Sequence, residues 1–518
     1  MSDSAVKVAV RVRPFNQREK GLDAVCCIAM AGPTTTINDV DGGTGEETFT
    51  FDYSFWSHDG FAISDEGLLI PEDGNSPYVD QKKVFDCLGV EVLNNAWTGY
   101  HCCLFAYGQT GAGKSYSMVG FGPNKGIIPT TCQDIFRRIG ENHDPAKHFE
   151  VTIGMLEIYN EKIQDLLIHA NQRTKGGLEV RESKQLGIYV QDLTKRAVNS
   201  YEAIEDLVDE GTANRTIGST LMNATSSRAN TVLIIEFTQV TTYDMGKEGR
   251  KLSVIKLVDL AGSENAEQTV AIASAINKSM SALRNVISAL ADKGSGKLKK
   301  GQLIPYRDSK LTRLLQNALG GSSKTIMICA VSPASSNYEE TLSTLRCADR
   351  AKKIMNHAEI NEDPTEKLLN QLKRENERLK ALLGGQGVAT GGGPNGAGGS
   401  AVSEAERMRI VENHKKEIAA IEKALEEEEA AKQAAKQAAE RAKEAARDEG
   451  LRRFRQEMDR IKTLIQTLES QLAGNDASLT VGDLSVVESH TRRGGDCLKE
   501  AVDYLSSKHT TQAGGVVR

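Results

Sequence analysis

The sequence predicts an α/β fold in which a central, mostly parallel β-sheet lies between helices, followed by an α-helical coiled-coil stalk. Three observations lead to this prediction. Short β-branched runs alternate with helical stretches up to about Ala358, a glycine-rich loop follows one apolar run, and heptads occur near the C-terminus. Alternation of strands and helices is typical of a sheet that is covered on both faces.

The predicted strands are short runs rich in valine, isoleucine, leucine and threonine. They are Val6–Val12, Cys103–Tyr107, Phe149–Tyr159, Thr231–Val240, Leu252–Leu260 and Thr325–Ser332. Helical stretches such as Ile276–Lys293 separate them. We expect one domain over residues 1–357.

Composition narrows the class of protein. The 518 residues are 39% hydrophobic and 26% charged, which allows a sizeable core, and a net charge of −6 gives no indication of nucleic-acid binding. The nine cysteines form no C-x-x-C pair, which indicates thiols in a reducing compartment. The N-terminus has no signal-peptide layout, and no apolar run reaches the ~18 residues of a membrane helix. We expect a soluble, cytoplasmic protein with no transmembrane segment.

Residues 358–383 are predicted to form a linker and a short helix. Apolar residues and one asparagine recur there at steps of three and four: Leu369, Leu372, Asn376, Leu379 and Leu383. The helix is either a short coiled-coil seam or an amphipathic helix that packs on the preceding domain, because two heptads are marginal alone. Residues 384–402 are a predicted flexible, Gly-rich linker.

The last part of the chain is predicted to be a long helix at 403–473 and a disordered tail at 474–518. The end of the helix carries a heptad at Leu451, Phe454, Met458, Ile461, Ile465, Leu468 and Leu472. This heptad favours a homodimeric coiled coil over an amphipathic helix that binds another partner.

The sharpest motif is G-x-x-x-x-G-K-[ST] at Gly108–Ser115, between an apolar strand and a helical stretch. In such a phosphate loop (P-loop) the backbone N–H groups face phosphate oxygens. Lys114 would reach the β- and γ-phosphates, and the Ser115 hydroxyl would bind magnesium. The strand before the loop and the helix after it supply the context that the motif requires.

A second motif begins at Asp259, at the end of the strand Leu252–Leu260. A carboxylate at this edge, beside a P-loop, holds the magnesium shell through water. Gly262, three residues later, can donate its N–H to a γ-phosphate. D-x-x-G is a weak signal alone, but after an apolar strand and downstream of a P-loop it predicts nucleotide hydrolysis.

These motifs would also suit a GTPase, which reads guanine with the Asp of N-K-x-D. The Asn-Lys pair in a helical context here is Asn277-Lys278, and Met280 stands where the Asp is needed. ATP is therefore the expected nucleotide.

The chain resembles the kinesin motor domain over about Ala5–His357, with seven motifs in that family's order. They are Arg11–Pro14, the P-loop with Tyr116, Leu156–Glu161, Asn223–Arg228 (switch I), Asp259–Glu264 (switch II), Ile304–Gly321 and Glu340–Lys353. The run GAGKSY together with Ile360–Lys380 is most similar to the third kinesin family. The resemblance implies a P-loop NTPase-type motor that hydrolyses ATP, is stimulated by microtubules and is typically plus-end directed.

The resemblance also implies roles for individual residues. Nucleotide-binding roles fall on Arg11, Arg13, Pro14, Gly108, Gln109, Thr110, Gly111, Ala112, Gly113, Lys114, Ser115, Tyr116, Asn223 and Ser226. Ser227 would join Ser115 and Asp259 at magnesium. Arg228 and Glu264 would form an inter-switch salt bridge that closes only with ATP and helps place the attacking water, and Gly262 would close onto the γ-phosphate.

The motif Ile304–Gly321 resembles the family's microtubule-facing loop and helix. The implied tubulin contacts are Tyr306, Arg307, Lys310 and Arg313. A cluster of Lys293, Lys297, Lys299 and Lys300 precedes this motif. It is either an ordinary solvated loop or a contact with the acidic tubulin tails, and its position favours tubulin.

Two departures from the family pattern lie in the switches. Switch I is followed by Ala229-Asn230 where the family has Ser-His, and Asn265–Ala275 is several residues shorter than usual. A microtubule-binding scaffold with a weak or uncoupled ATPase is therefore the alternative hypothesis. Cargo binding, if any, is expected to use the helical tail or the disordered end.

Overall fold

The computed structural model describes residues 2–40, 45–174, 176–183, 187–222, 228–243, 248–264, 273–297, 301–363, 367, 452, 455, 456, 459 and 463. The chain divides into two compact units, Met1–Gln386 and Gly387–Arg518. The described residues of the second unit are helical. The predicted leucine seam, Gly-rich linker, heptad and tail otherwise lie outside the described residues, so these domain boundaries stay predictions.

The strands of the first unit include every strand that the sequence predicts. In chain order they are β1 (Ser2–Ala5), β2 (Lys7–Val12), β3 (Ile28–Ala31), β4 (Thr34–Asn38), β5 (Glu46–Thr50), β6 (Tyr53–Trp56), β7 (Phe61–Ile63), β8 (Leu69–Pro71), β9 (Cys102–Tyr107), β10 (Gly120–Phe121), β11 (Asn124–Lys125), β12 (Lys147–Tyr159), β13 (Lys162–Asp165), β14 (Val180–Ser183), β15 (Gly187–Val190), β16 (Arg196–Val198), β17 (Asn230–Thr242), β18 (Glu248–Asp259), β19 (Lys324–Val331) and β20 (Met355–Ala358).

The α-helices connect these strands. They are α1 (Gln17–Gly21), α2 (Gln81–Val84), α3 (Val90–Thr98), α4 (Lys114–Met118), α5 (Ile127–Gly140), α6 (Tyr201–Met222), α7 (Ala273–Gly294), α8 (Lys310–Leu314) and α9 (Tyr338–Ala351). Among the described residues, no helix is both long enough and apolar enough to cross a membrane.

The central sheet has the strand order β13-β12-β17-β18-β9-β19-β2-β6, with β16 beside β12. The prediction of a mostly parallel sheet was wrong, because the sheet is mixed. The pairs from β18 through β9, β19 and β2 to β6 are parallel, whereas β13, β12, β16, β17 and β18 pair antiparallel. The short connection from β17 to β18 explains part of the difference, since a parallel crossover needs about a dozen residues or more.

Helices cover both faces of the sheet, as predicted. Alternate side chains of β9 point to opposite faces, so Phe105 belongs to one apolar core and Leu104 to the other. The first core includes residues of α7, α8 and α9, and the second includes residues of α3, α5 and α6. The central strands are therefore buried on both sides.

The carboxyl ends of β9 and β18 meet at one edge of this sheet. These strands are parallel neighbours, and Asp259 lies opposite Ala106. The chain leaves β9 at Tyr107 directly into the glycine-rich loop. The two motifs that the sequence singles out are thus brought together where ligands bind in open α/β sheets.

The chain after α9 runs along the first unit. Strand β20 pairs antiparallel with β1, from Ser2 opposite Ala358 to Ala5 opposite Met355. Farther on, the N–H of Asn361 donates to the carbonyl of Gly99 at 2.9 Å, and its carbonyl accepts from Leu252 at 2.9 Å. Residues 355–363 are therefore held by backbone hydrogen bonds.

Candidate functional site

The P-loop has the geometry of a phosphate cradle. Gly108 has φ +143°, and a Cβ at this position would overlap the carbonyl oxygen of Ala330. Only glycine fits here, both for its backbone conformation and for its close approach to β19. The helix that follows, α4, has five residues, so the loop N–H groups supply most of the positive potential for an anion.

Lys114 folds back over this loop. It is 7% exposed, and its Nζ donates to the carbonyls of Gly108 at 2.8 Å and Gln109 at 2.9 Å. Burial lowers the pKa of the Lys114 amine, while the charges of Asp259 and Glu264 oppose that shift. The amine is therefore held within the loop, beside the N–H groups that phosphate oxygens would use.

Ser115 and Asp259 form an oxygen pair at the edge of the loop. The Ser115 Oγ donates to Asp259 Oδ2 at 2.5 Å. Asp259 Oδ1 is buried and has no hydrogen-bond partner among the described residues. Burial raises the pKa of Asp259, against the hydrogen bond from Ser115 and the charge of Lys114. A hydroxyl beside an unpaired carboxylate oxygen fits magnesium, which prefers oxygen ligands.

Switch II touches the P-loop directly. The Thr110 N–H donates to Glu264 Oε2 at 2.8 Å, and its Oγ1 donates to Oε1 at 2.6 Å. A Cβ on Gly262 would overlap both Thr110 Oγ1 and the Glu264 carboxylate. Burial raises the pKa of Glu264, but the hydrogen bonds from Thr110 outweigh it, and the net pKa lies below the usual value. Glu264 is thus an ionised acceptor at a P-loop N–H.

The predicted salt bridge between Arg228 and Glu264 is not formed in this arrangement. Arg228 is exposed, and the Glu264 carboxylate is engaged by Thr110. The sequence places this salt bridge in the ATP-bound form, so it stays a prediction. Asn223, Ser226 and Ser227 lie outside the described residues, as does 265–272 of the shortened switch II segment.

Of the cavities that adjoin the loop, two share Gly113 and Tyr116 in their walls. One, of about 280 Å³, is lined by residues that include Lys114, Ser115 and Asp259. The other, of about 250 Å³, is lined by residues that include Arg11, Arg13, Pro14, Ala112, Gly113 and Tyr116. Together they offer a phosphate side and a base side for one nucleotide.

Arg11 and Arg13 build the base side. Arg13 pairs with Glu19 at 2.6 Å and donates from Nε to the carbonyl of Gly111 at 2.6 Å, so it braces the P-loop. Arg11 is 3% exposed and lies 5.3 Å from the centre of the Tyr116 ring. Its Nη2 and the Tyr116 hydroxyl are buried without a hydrogen-bond partner among the described residues. Such unpaired polar atoms suit a ligand with polar edges.

A comparison with protein families identifies the fold. The family model of the kinesin motor domain matches residues 11–354. The chain belongs to the kinesin motor domain family. The match includes the P-loop and both switches, so the resemblance that the sequence motifs predicted is confirmed.

Curated relatives of this kinesin support the same subfamily as the sequence. Kinesin-like protein KIF1A of Rattus norvegicus is 49% identical over 403 residues, which cover 75% of this chain and 23% of that protein. Kinesin-related protein 1 of Dictyostelium discoideum is 48% identical over 404 residues, covering 74% of this chain and 18% of that protein. The predicted similarity to the third kinesin family is confirmed. The kinesin chain matches about a fifth of the length of these relatives.

A solved structure supports the fold of this kinesin. It is a KIF14 dimer spanning residues 391–772, with AMP-PNP and in complex with a microtubule. It is 40% identical, with a TM-score of 0.63, and the alignment covers 72% of this chain and all of that chain (100%).

Two functional candidates of the kinesin chain were missed by the sequence motifs. Arg215 on α6 lines the phosphate-side cavity, and its Nε donates to Glu157 Oε2 at 3.0 Å. Tyr78 lines the base-side cavity, and burial raises its pKa to about 12. Neither residue lies in a motif. The one indication of Arg215 in the sequence is that its partner Glu157 lies in the motif Leu156–Glu161.

The predicted microtubule contacts of this kinesin fall into two groups. Lys293, Lys297 and Arg307 are exposed. Lys310 pairs with Glu179 at 2.8 Å, Arg313 pairs with Glu182, and the Tyr306 hydroxyl donates to the carbonyl of Leu319 at 2.5 Å. The paired side chains hold α8 against the β14–β15 hairpin. Lys299 and Lys300 lie outside the described residues.

The position that would bind guanine in a GTPase is buried in this structure. Met280, at the position where N-K-x-D requires an aspartate, is 1% exposed and belongs to the apolar core. Its neighbour Ser279 is buried as well. This part of α7 packs under the sheet and offers no carboxylate to a guanine.

Proposed function

We propose that this kinesin hydrolyses ATP, with magnesium, and converts hydrolysis into plus-end-directed movement along microtubules in the cytoplasm. One observation carries the proposal: the P-loop residue Thr110 and the switch II residue Glu264 are in direct contact. A γ-phosphate at the loop and the Glu264 carboxylate would compete for the same N–H. The contact between Thr110 and Glu264 would thereby link nucleotide chemistry to the position of switch II.

Phosphoryl transfer depends on positioning and charge neutralisation more than on covalent chemistry by the protein. The Lys114 amine would exchange the carbonyls of Gly108 and Gln109 for β- and γ-phosphate oxygens. The ionic acceptor forms the stronger hydrogen bonds. The loop N–H groups would bind the remaining oxygens, and the stack of Arg11 and Tyr116 would orient the base.

The metal site follows from the oxygen pair at the loop edge. Ser115 Oγ would coordinate magnesium directly, and Asp259 would hold its water shell through the unpaired Oδ1. At this site magnesium would supply positive charge to offset the negative charge that develops on the phosphate oxygens. Ser227 of switch I would complete the set, as the family resemblance implies.

Switching would begin when phosphate displaces Glu264 from Thr110. The Gly262 N–H could then approach the γ-phosphate, because glycine leaves room beside Thr110. The freed carboxylate would be able to pair with Arg228 and place the attacking water. Helix α7 would shift with switch II, and this shift would favour the position along the first unit that residues 355–363 occupy in this structure.

Two lines of evidence support the microtubule part of the proposal. The similar KIF14 structure holds AMP-PNP and a microtubule. In this chain, Lys293, Lys297 and Arg307 provide exposed positive charge on and near the motif Ile304–Gly321. Acidic tubulin tails would be attracted to such a surface. Plus-end direction and dimerisation through the heptad rest on the resemblance and on the sequence pattern.

The scaffold alternative predicts a weak or uncoupled ATPase. The contacts of Lys114, Ser115 and Glu264 weigh against it, because they order the P-loop and join it to Asp259 and to switch II.

The proposal is tested with the full chain. ATP turnover is measured with and without microtubules, and direction is measured by gliding of polarity-marked microtubules. We expect microtubule-stimulated turnover and gliding with minus ends leading. Turnover that microtubules leave unchanged would support the scaffold alternative instead.

A further inference from the structure

Asn230, which stands where the family has histidine, is a buried junction. It begins β17 two residues after Arg228 and is 2% exposed. Its Oδ1 accepts from the N–H of Ala261 at 3.0 Å. Its Nδ2 lies 3.4 Å from both the carbonyl of Ile158 and the Ser279 Oγ, and donates to each.

The three contacts belong to three different elements. Ala261 lies in switch II, between Asp259 and Gly262. Ser279 lies on α7 and is 5% exposed. Ile158 lies on β12, directly opposite Asn230 in the strand register. One side chain at the end of switch I therefore joins switch II, the central sheet and α7.

The amide group is suited to this position. It presents one acceptor oxygen and two donor hydrogens, and all three partners are served. A neutral imidazole has one donor and one acceptor, so it could not serve them all at once. Water does not readily replace a lost contact at a site this buried, and an unpaired polar group is costly there.

We propose that Asn230 is a positioning residue that couples switch II at Ala261 to α7 at Ser279. When Ala261 moves, the amide either follows and takes Ser279 with it, or leaves several buried polar groups unpaired. The first course is favoured, because buried hydrogen-bond networks act as a unit. This inference rests on the proposed ATP-driven movement and names the residue through which the nucleotide site would reach α7.

The first test removes the three hydrogen bonds and keeps the side-chain size. Asn230→Leu in the full chain should lower microtubule-stimulated kcat by about tenfold. The KM for ATP and the binding of a fluorescent ATP analogue should change by less than about twofold, because none of the three hydrogen-bond partners of Asn230 lines the phosphate-side or the base-side cavity. A loss in kcat with retained KM separates coupling from a general loss of structure.

Asn124 supplies the matched control. It is also buried, at 8% exposed, and its amide serves backbone groups: Oδ1 accepts from Leu69 at 2.8 Å and Nδ2 donates to Gly67 at 2.9 Å. Asn124→Leu should reduce thermal stability as Asn230→Leu does, but keep microtubule stimulation. Equal loss of stimulation in the two variants would overturn the proposal.

A second variant serves if Asn230→Leu folds poorly. In Asn230→Asp, the neutral carboxyl keeps one donor and one acceptor, whereas the ionised form has no donor for Ile158 or Ser279. Burial raises the pKa of a carboxyl, so its neutral fraction grows as pH falls. The stimulated kcat of Asn230→Asp, relative to wild type, should therefore rise from about pH 7.5 to about pH 6.

The outcomes separate this inference from the proposed function. Wild type without microtubule stimulation would overturn both. Stimulated wild type, together with Asn230→Leu at the wild-type kcat or Asn230→Asp with a pH-independent ratio, would overturn the role of Asn230 alone. Asn124→Asp, measured over the same pH range, should show no change in the ratio.

Discussion

The nucleotide edge and the predicted microtubule face of this kinesin use charge in different ways. At the nucleotide edge, the charged groups Lys114 and Asp259 are buried, and Asp259 accepts a hydrogen bond from Ser115, which lies far away in the sequence. On the microtubule face, Arg307 is exposed, and Arg313 is neutralised by a nearby glutamate, Glu182. Buried contacts cannot be replaced by water, so substitutions should have large effects at the first region and small ones at the second.

The largest expected effect is at Lys114. Lys114→Ala removes the positive charge at the β- and γ-phosphates and should lower ATP turnover on the order of a thousandfold. The fold should persist, because among the described residues the Lys114 amine donates only to loop carbonyls. Lys82→Ala, which removes an exposed lysine paired with Asp86, is the control and should retain turnover. Wild-type turnover in Lys114→Ala would show that the P-loop assignment is wrong.

The next effect concerns the two switches. Arg228→Ala and Glu264→Ala should each lower the rate of hydrolysis on the order of a hundredfold, because each removes one member of the pair that would place the attacking water. The double mutant should be little worse than either single mutant, because the partners act as a unit.

Nucleotide affinity distinguishes the two single mutants of this pair. Glu264→Ala frees the Thr110 N–H and should bind an ATP analogue at least as tightly as wild type, whereas Arg228→Ala should leave affinity unchanged. Titration with a fluorescent analogue measures this difference. Additive losses of turnover in the double mutant would refute the pair.

A smaller effect is expected on the microtubule face. Glu182→Gln releases Arg313 from its ion pair and should strengthen microtubule binding by about threefold, and Arg307→Ala should weaken it by a similar factor. Both changes should shrink at high salt, since exposed charges are screened. Cosedimentation at two salt concentrations measures them. Glu236→Gln, which breaks the ion pair of Lys195 outside this segment, is the control and should leave the affinity for microtubules unchanged. If Glu182→Gln also left that affinity unchanged, Arg313 would not be a microtubule contact.

The smallest effect, on the pH dependence of stability, is expected at His101. This residue directly precedes β9, at the end of the strand that lies away from the P-loop. His101 Nδ1 accepts from the Val254 N–H at 3.1 Å, and burial lowers the His101 pKa from 6.5 to about 4. The folded state therefore binds fewer protons than the unfolded state between these values, so stability falls as pH drops from 6.5 towards 4. His101→Asn, which keeps an acceptor, should weaken this pH dependence in urea unfolding. An equally steep dependence would assign the acid sensitivity to other groups.

The sequence predicts the centre of the site because its motifs carry their own context. Gly108–Ser115 follows the apolar strand β9, and Asp259 ends the apolar strand β18. These two strands are parallel neighbours in the sheet. The mixed sheet was missed, although the short connection between β17 and β18 already favours a hairpin.

Other features depend on tertiary contacts that local patterns do not encode. Arg215 and Tyr78 reach the cavities through the packing of α6 and of the chain before α2. Thr110, whose N–H donates to Glu264, lies 154 residues away from it in the sequence. In the sequence, Asn230 is noticeable only because the family has histidine at this position. Its three buried contacts show that the amide oxygen and the amide nitrogen both have hydrogen-bond partners.

The pairing of β1 with β20 has a mechanical consequence. Strand β20 is tethered at Met355 to α9, and the chain continues from Ala358. Tension that pulls Ala358 forward along the ladder is borne by the covalent backbone, and the hydrogen bonds carry little of it. Tension that pulls the following chain sideways or backward loads the bonds one at a time, first those of Asp363 and Asn361 and then the ladder from Ser2. The β1–β20 ladder therefore withstands a forward pull, whereas a sideways or backward pull separates its strands one hydrogen bond after another.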